Sequence, residues 1–193
     1  MSHRVVELHN IMPIANLTSV LKHGILSNDE VARLKLEHRS VARQDIQDER
    51  DKKQVPQGLR LHQYANLYFN ARNPMMFKRK NEAENLCVLR VSKDALNIKG
   101  VVLADQNAAS PYVRFLSPDQ INLIDFSMVH AEDWTHPDNR AAYYRHRSVM
   151  CAEVLVPKCI PACLIIGAYV INDRAAGAIN MLETEVSPRM FFQ

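Results

Sequence analysis

Apolar residues along this chain fall mostly into short, strand-like runs separated by polar stretches, and a helical spacing shows clearly only near the N-terminus. Val5 and Val6 open a first strand over residues 4–12, which is expected to end in a turn at His9, Asn10, Ile11 and Met12. Residues 16–23 then have the pattern of a short amphipathic helix stopped by Gly24, since a glycine accepts the left-handed backbone that closes a helix. From 28 to 54 the chain is dense in charge and has few apolar anchors, as on a solvated helical face or a loop. Residues 61–70 are rich in aromatics and predict a strand, broken at Asn73 and Pro74 before a short helix at Met75, Met76 and Phe77. Further strands are expected at 86–91, 101–103, 113–116, 151–156 and 164–171. Roughly six or seven strands in mixed order, with helices concentrated in the first third, define an α+β class.

One position breaks the pattern. Glu153 stands inside the apolar run Cys151, Ala152, Val154, Leu155 and Val156, where an unpaired buried carboxylate is costly. Alternation offers the plain account, with Ala152, Val154 and Val156 facing the core and Glu153 facing outward. Just upstream, residues 119–149 form a long polar connection that holds the only tryptophan, Trp134, and ends in a basic and aromatic stretch. Long connections of this kind are more often functional than incidental, although residues 138–148 also fit an ordinary surface helix.

Composition narrows the picture. At 193 residues and 22.1 kDa the chain is expected to be a single domain, residues 1–193, with one sizeable core. A net charge of +3 permits an anionic partner without requiring one. Cys87, Cys151, Cys159 and Cys163 form no CxxC pair and read as free thiols in a reducing, cytoplasmic setting. Arg4, Glu7, His9 and Lys22 interrupt the N-terminal stretch, so neither a signal peptide nor a membrane span is expected. His3, His23, His38 and His130 lack partners at ligand spacing, so no metal is expected. Arg72, Lys78, Arg79 and Lys80 interleave with Tyr68, Phe69 and Phe77, a mixture of cations and flat rings suited to single-stranded nucleic acid. Trp134 with Arg140, Tyr143, Tyr144, Arg145, His146 and Arg147 makes a second such mixture. The plainer account of the first is a strand whose rings pack inward while its cations stay wet.

Four patches occur in order: His9 to Met12 with the segment 16–27; residues 40–50 followed by Val55; residues 61–76; and residues 152–157. Together they resemble the DarT family of DNA ADP-ribosyltransferase toxins, over nearly the whole chain. The resemblance implies an ADP-ribosyltransferase-like split β core with an NAD cleft and a substrate-recognition loop before the catalytic strand. It also implies a macrodomain-type antitoxin as partner and a toxin or phage-defence role. Glu153 falls on the family's catalytic glutamate and Arg50 on its essential arginine. Residues expected at NAD are His9, Asn10, Ile11, Met12, Ser19, Gly24, Ser27 and Arg50. Relatives carry His-Ile-Thr where strict counting back from Asn16 gives Asn10, Ile11 and Met12, so the histidine is displaced by one. DNA contacts are expected from Arg72, Lys78, Arg79, Trp134, Tyr143, Arg145 and Arg147.

The residue types suit that chemistry. Breaking the bond between nicotinamide and ribose develops positive charge on the sugar, which a nearby carboxylate stabilises. Arginine's planar fork grips a pyrophosphate or holds the acceptor. The expected function is transfer of ADP-ribose from NAD to a base of single-stranded DNA with release of nicotinamide. Asn66 and Leu67, standing where thymidine-specific members carry Val-Pro, lean the base toward guanosine. The alternatives are an RNA or protein acceptor, or a non-catalytic nucleic-acid-binding module.

Overall fold

The computed structural model describes residues 5–37 and 50–192. Its strands are β1 (Glu7–Pro13), β2 (Ile25–Leu26), β3 (Tyr64–Tyr68), β4 (Leu86–Ser92), β5 (Val102–Ala104), β6 (Phe115–Leu116), β7 (Glu153–Pro157), β8 (Cys159–Ile160), β9 (Ile165–Val170) and β10 (Thr184–Val186). Helices are α1 (Leu17–His23), α2 (Asn28–Arg33), α3 (Pro74–Lys78), α4 (Phe126–Val129), α5 (Arg140–Val149) and α6 (Asp173–Gly177). The α+β class is as expected, but the described helices are spread along the chain and the ten-residue α5 lies in its second half. Strands β2, β8 and β10 were not anticipated, because two or three residues carry no readable alternation. The patch at 40–49 lies outside the described residues.

Eight strands form one sheet in the order β10-β9-β4-β1-β3-β7-β5-β6, and β2 and β8 pair separately. Strand β1 registers on β4 along its whole length, from Glu7 opposite Ser92 to Pro13 opposite Leu86. On its other side it registers with β3 at a single pair, His9 opposite Tyr68. The sheet is therefore two half-sheets joined at one point and open beyond it. Asn10 sits at the opening, where its side-chain amide donates to the Asn66 carbonyl at 3.1 Å in place of a ladder bond. His9, Asn10, Ile11 and Met12 are thus mid-strand residues, not the turn that the sequence predicts; the chain turns after Pro13.

Leu8, Leu67, Leu89, Leu103 and Val154 lie fully buried in the main core. On the opposite face a second, smaller cluster gathers Val55, Leu61, Tyr64, Ala104, Ala108 and Leu155. Strand β7 is therefore covered on both sides and buried from Glu153 to Val156, which is why its sequence does not alternate. Helix α1 ends as expected at Gly24, whose φ of 81° favours glycine. A side chain there would collide with the Ile160 carbonyl and lie 2.7 Å from Cys159 Sγ, so this glycine lets α1 close against β8.

Candidate functional site

Glu153 opens β7 and is 1% exposed, not outward-facing as alternation predicts. The segment from Arg50 to Tyr64 and the connection from β5 to β6 cover this face with the second cluster. Arg50 Nη1 donates to both carboxylate oxygens, at 3.2 and 3.1 Å, and the Ala108 amide donates to Oε1 at 3.0 Å. A buried carboxylate with a cation and a backbone N–H is satisfied where a lone one is not. The covering segments are tied to each other as well. Lys53 Nζ donates to the Ser110 carbonyl, and burial lowers the pKa of that amine.

Registered partners on antiparallel strands project to one face, so the pairs Ala104 with Glu153, Glu153 with Tyr68, and Tyr68 with His9 make a transverse row. Glu153 and His9 are two strands apart in that row, about 10 Å by strand spacing. Burial, then the Glu153 charge, raises the Tyr68 phenol's pKa, which keeps it a neutral hydrogen-bonding group between them. Beyond His9, Glu7 accepts from His9 Nε2 at 3.1 Å, from the Tyr169 hydroxyl at 2.8 Å and from Arg90 Nε at 2.9 Å. Burial pushes the Glu7 carboxyl up, but hydrogen bonds from His9, Tyr169 and Arg90 outweigh it and bring the pKa down to about 2.

Of the residues expected at NAD, Arg50 meets Glu153 directly, while His9 joins the row through Tyr68. Asn10 is engaged with Asn66, and Ile11 and Met12 are buried in the main core. Ser19 lies half-buried on α1. Ser27 is 1% exposed, and its hydroxyl caps α2 by accepting from the Glu30 amide at 3.3 Å. Gly24 and Ser27 thus have local structural work of their own. Glu7, Tyr169 and the Ala108 amide are not among the residues the sequence singles out for a site, and Tyr68 stands there only as a ring among cations. The pair Glu7 and His9, two apart on a strand and so on one face, was the one available signal. A backbone N–H has none.

The two basic and aromatic patches have different fates. Trp134 packs edge-on against Phe77 at 5.9 Å and Phe192 at 5.5 Å, so the first patch and the polar connection meet through a C-terminal ring that was not anticipated. The Arg72 guanidinium lies 4.0 Å over Phe192, and its buried Nη1 has no hydrogen-bond partner among the described residues. Arg79 is paired with Glu82 at 2.8 Å, whereas Lys78 and Arg145 are exposed. On α5, Arg147 lies 5.2 Å from the Tyr143 ring. Burial pushes the Cys151 thiol up to about 12, Glu153 adds to the rise, and Arg147 and Lys78 oppose it. Both cations thus act electrostatically on Cys151, two residues before Glu153. His146, buried in α5, joins the Met128 carbonyl at 3.1 Å and His136 at 2.8 Å, anchoring the connection that carries Trp134.

Comparison with known proteins gives these features a setting. The chain is 29% identical over 194 residues to a DNA ADP-ribosyl transferase-DNA ADP-ribosyl glycohydrolase fusion protein of Thermosipho africanus, covering 96% of this chain and 48% of that one. It is 28% identical over 179 residues to a DNA ADP-ribosyl transferase of Thermus sp. 2.9, covering 86% of this chain and 82% of that one. The chain thus spans about half the length of the Thermosipho relative and most of the Thermus one. In structure it is similar to Thermosipho africanus DarTG in complex with ADP-ribose, with a TM-score of 0.84 and 26% identity over 97% of this chain and 51% of that one. It shares the fold of Thermus sp. 2.9 DarT in complex with ADP-ribosylated ssDNA, with a TM-score of 0.82 and 22% identity over 97% of each chain. The split sheet therefore has the fold of proteins that carry a DNA ADP-ribosyl transferase. Residues 9–192 match the family described as "ssDNA thymidine ADP-ribosyltransferase, DarT", and the chain belongs to that family.

Proposed function

We propose that this chain, acting as one domain, transfers ADP-ribose from NAD to a base of single-stranded DNA and releases nicotinamide. The observation that carries the reading is the buried pair of Arg50 and Glu153 at the start of β7, beside the opening of the sheet. As the bond to nicotinamide breaks, positive charge develops on the ribose, and Glu153 is the carboxylate placed to stabilise it. The Ala108 amide and Arg50 satisfy that carboxylate's oxygens and fix its orientation. Only Nη1 of Arg50 bonds Glu153, and among the described residues the rest of the fork is left for a phosphate or the acceptor. Among the described residues no group of three or more metal-ligating side chains occurs, and the reading assigns no step to a metal.

Exposed Lys78 and Arg145, with Arg147 and the Trp134 ring, favour a single strand whose bases stack while its phosphates meet cations. Acceptor recognition is placed on the connection held by His146. The lean toward guanosine rests on Asn66 and Leu67, but Leu67 is fully buried in β3 and the Asn66 carbonyl serves Asn10. Thymidine, the base in the matched family's description, is the reading taken here. No described helix is long and apolar enough to cross a membrane, and the four cysteines are free. The reading places the chain in the cytoplasm, held in check by an ADP-ribose-hydrolysing antitoxin like the glycohydrolase half of the Thermosipho fusion.

The test is incubation with NAD and single-stranded oligonucleotides of single-base composition, with RNA and protein as controls, read by mass spectrometry. Label on thymidine-containing DNA alone supports the reading. Label on guanosine restores the other base, label only on RNA or protein moves the acceptor, and no nicotinamide release leaves a binding module.

A further inference from the structure

His9 is 8% exposed, and its Nδ1 is buried with no hydrogen-bond partner among the described residues. Its other nitrogen, Nε2, meets Glu7 at 3.1 Å. Glu7 is an ionised carboxylate and accepts only, so Nε2 must carry the proton. The tautomer of His9 is therefore assigned by its neighbour, and in the neutral ring Nδ1 is a bare acceptor. Leaving such a group unmatched in a buried position costs free energy unless something else matches it.

Glu7 is held in turn. Arg90 reaches it from β4 and the Tyr169 hydroxyl from β9, while the Arg90 guanidinium also lies 4.9 Å from the Tyr169 ring. The edge of the His9 ring packs against Tyr169 at 6.0 Å, which limits its rotation. Neither Arg90 nor Tyr169 touches the row's far end at Glu153. Their geometry serves His9, and His9 lies in the row at the one point where the half-sheets meet.

We infer that Glu7, Arg90 and Tyr169 are positioning residues that lock His9 with Nε2–H toward Glu7 and present Nδ1 as an acceptor to an N–H or O–H donor of the dinucleotide. Such donors are a carboxamide N–H and the ribose hydroxyls. This inference rests on the proposed use of NAD. It assigns the imidazole's role to His9 in this chain, because Asn10, the residue that counts to the relatives' histidine, has its amide committed to the Asn66 carbonyl.

The test is long-range proton–nitrogen NMR of the protein labelled with 15N-histidine, with His9 assigned by the His9→Asn variant. The expected spectrum shows a protonated Nε2 and a bare Nδ1 whose resonance shifts toward the hydrogen-bonded position when NAD is added. In Glu7→Gln, whose amide can either accept or donate, the resonances average toward a tautomer mixture. Nicotinamide release by that variant should show KM for NAD raised about fivefold to tenfold, the worth of one hydrogen bond, with kcat nearly unchanged. Tyr169→Phe should give the same pattern with a smaller rise. A wild-type His9 protonated at Nδ1, or an Nδ1 resonance indifferent to NAD, overturns the inference even if Glu7→Gln does not fold. Wild-type kinetics of Glu7→Gln overturn it as well. If the wild-type protein neither binds nor consumes NAD, the proposed function itself falls.

Discussion

Glu7 and Glu153 stand on the same face of one sheet, each bonded to an arginine, yet they are built in opposite ways. The partners of Glu7 come from strands: His9 from β1, Arg90 from β4 and Tyr169 from β9. The partners of Glu153 come from outside the sheet, Arg50 from the segment before β3 and the Ala108 amide from the connection between β5 and β6. Ladder hydrogen bonds hold the first set in place independently of any ligand. The second set is positioned by connecting segments, whose groups can exchange partners without breaking the sheet. A carboxylate meant to hold a neighbour still wants the first arrangement. One meant to meet a reacting sugar wants the second.

The sharpest way to break this contrast is at Glu153. Glu153→Gln keeps the volume and removes the charge, and nicotinamide release should fall by about 10²–10³-fold. An unchanged rate would return Glu153 to a structural part. Arg50→Ala is the harsher change, because it leaves the buried carboxylate without its cation. It should cost about 3–5 kcal/mol in denaturant unfolding in addition to activity.

Effects on DNA should be smaller. Trp134→Ala should weaken single-strand binding by about 1–3 kcal/mol, the worth of a base on a ring, in fluorescence titration. Lys78→Ala and Arg147→Ala should each reduce the salt slope of binding by about 1. Were the slope to stay put, those cations would not be phosphate contacts.

Glu7 offers the mildest test, in acid. Its pKa is lowered from 4.5 to about 2 in the folded chain, so its contribution to stability is complete above the unfolded value. It is lost as pH falls from about 4.5 through about 2. Thermal melts across that window should decline less steeply for Glu7→Gln than for the wild type. Parallel declines would mean that Glu7 is not held ionised by its three donors.

Much of this could be read from residues in order. Helix α1 and its Gly24 stop, the break at Asn73, and strands β4, β7 and β9 follow from local pattern, and the order of four patches was enough to resemble the family. The Asn73 side chain indeed caps α3, accepting from the amides of Met75 and Met76. Errors arose where one face of a strand is covered by something distant in sequence. Alternation sent Glu153 to solvent because nothing local reveals that Val55, Leu61 and Ala108 roof that face.

The sequence by itself determined the α+β class, the strands long enough to show a period, and the identity of the odd carboxylate. These depend on spacing within a few residues, which survives without knowledge of neighbours. Only the tertiary structure decided that Glu153 is buried against Arg50, 103 positions away, and that His9 shares its row with one nitrogen unpartnered among the described residues. Burial and hydrogen-bond partnership are properties of what the fold brings alongside. For a carboxylate or an imidazole, that company sets the charge, the tautomer and the chemistry.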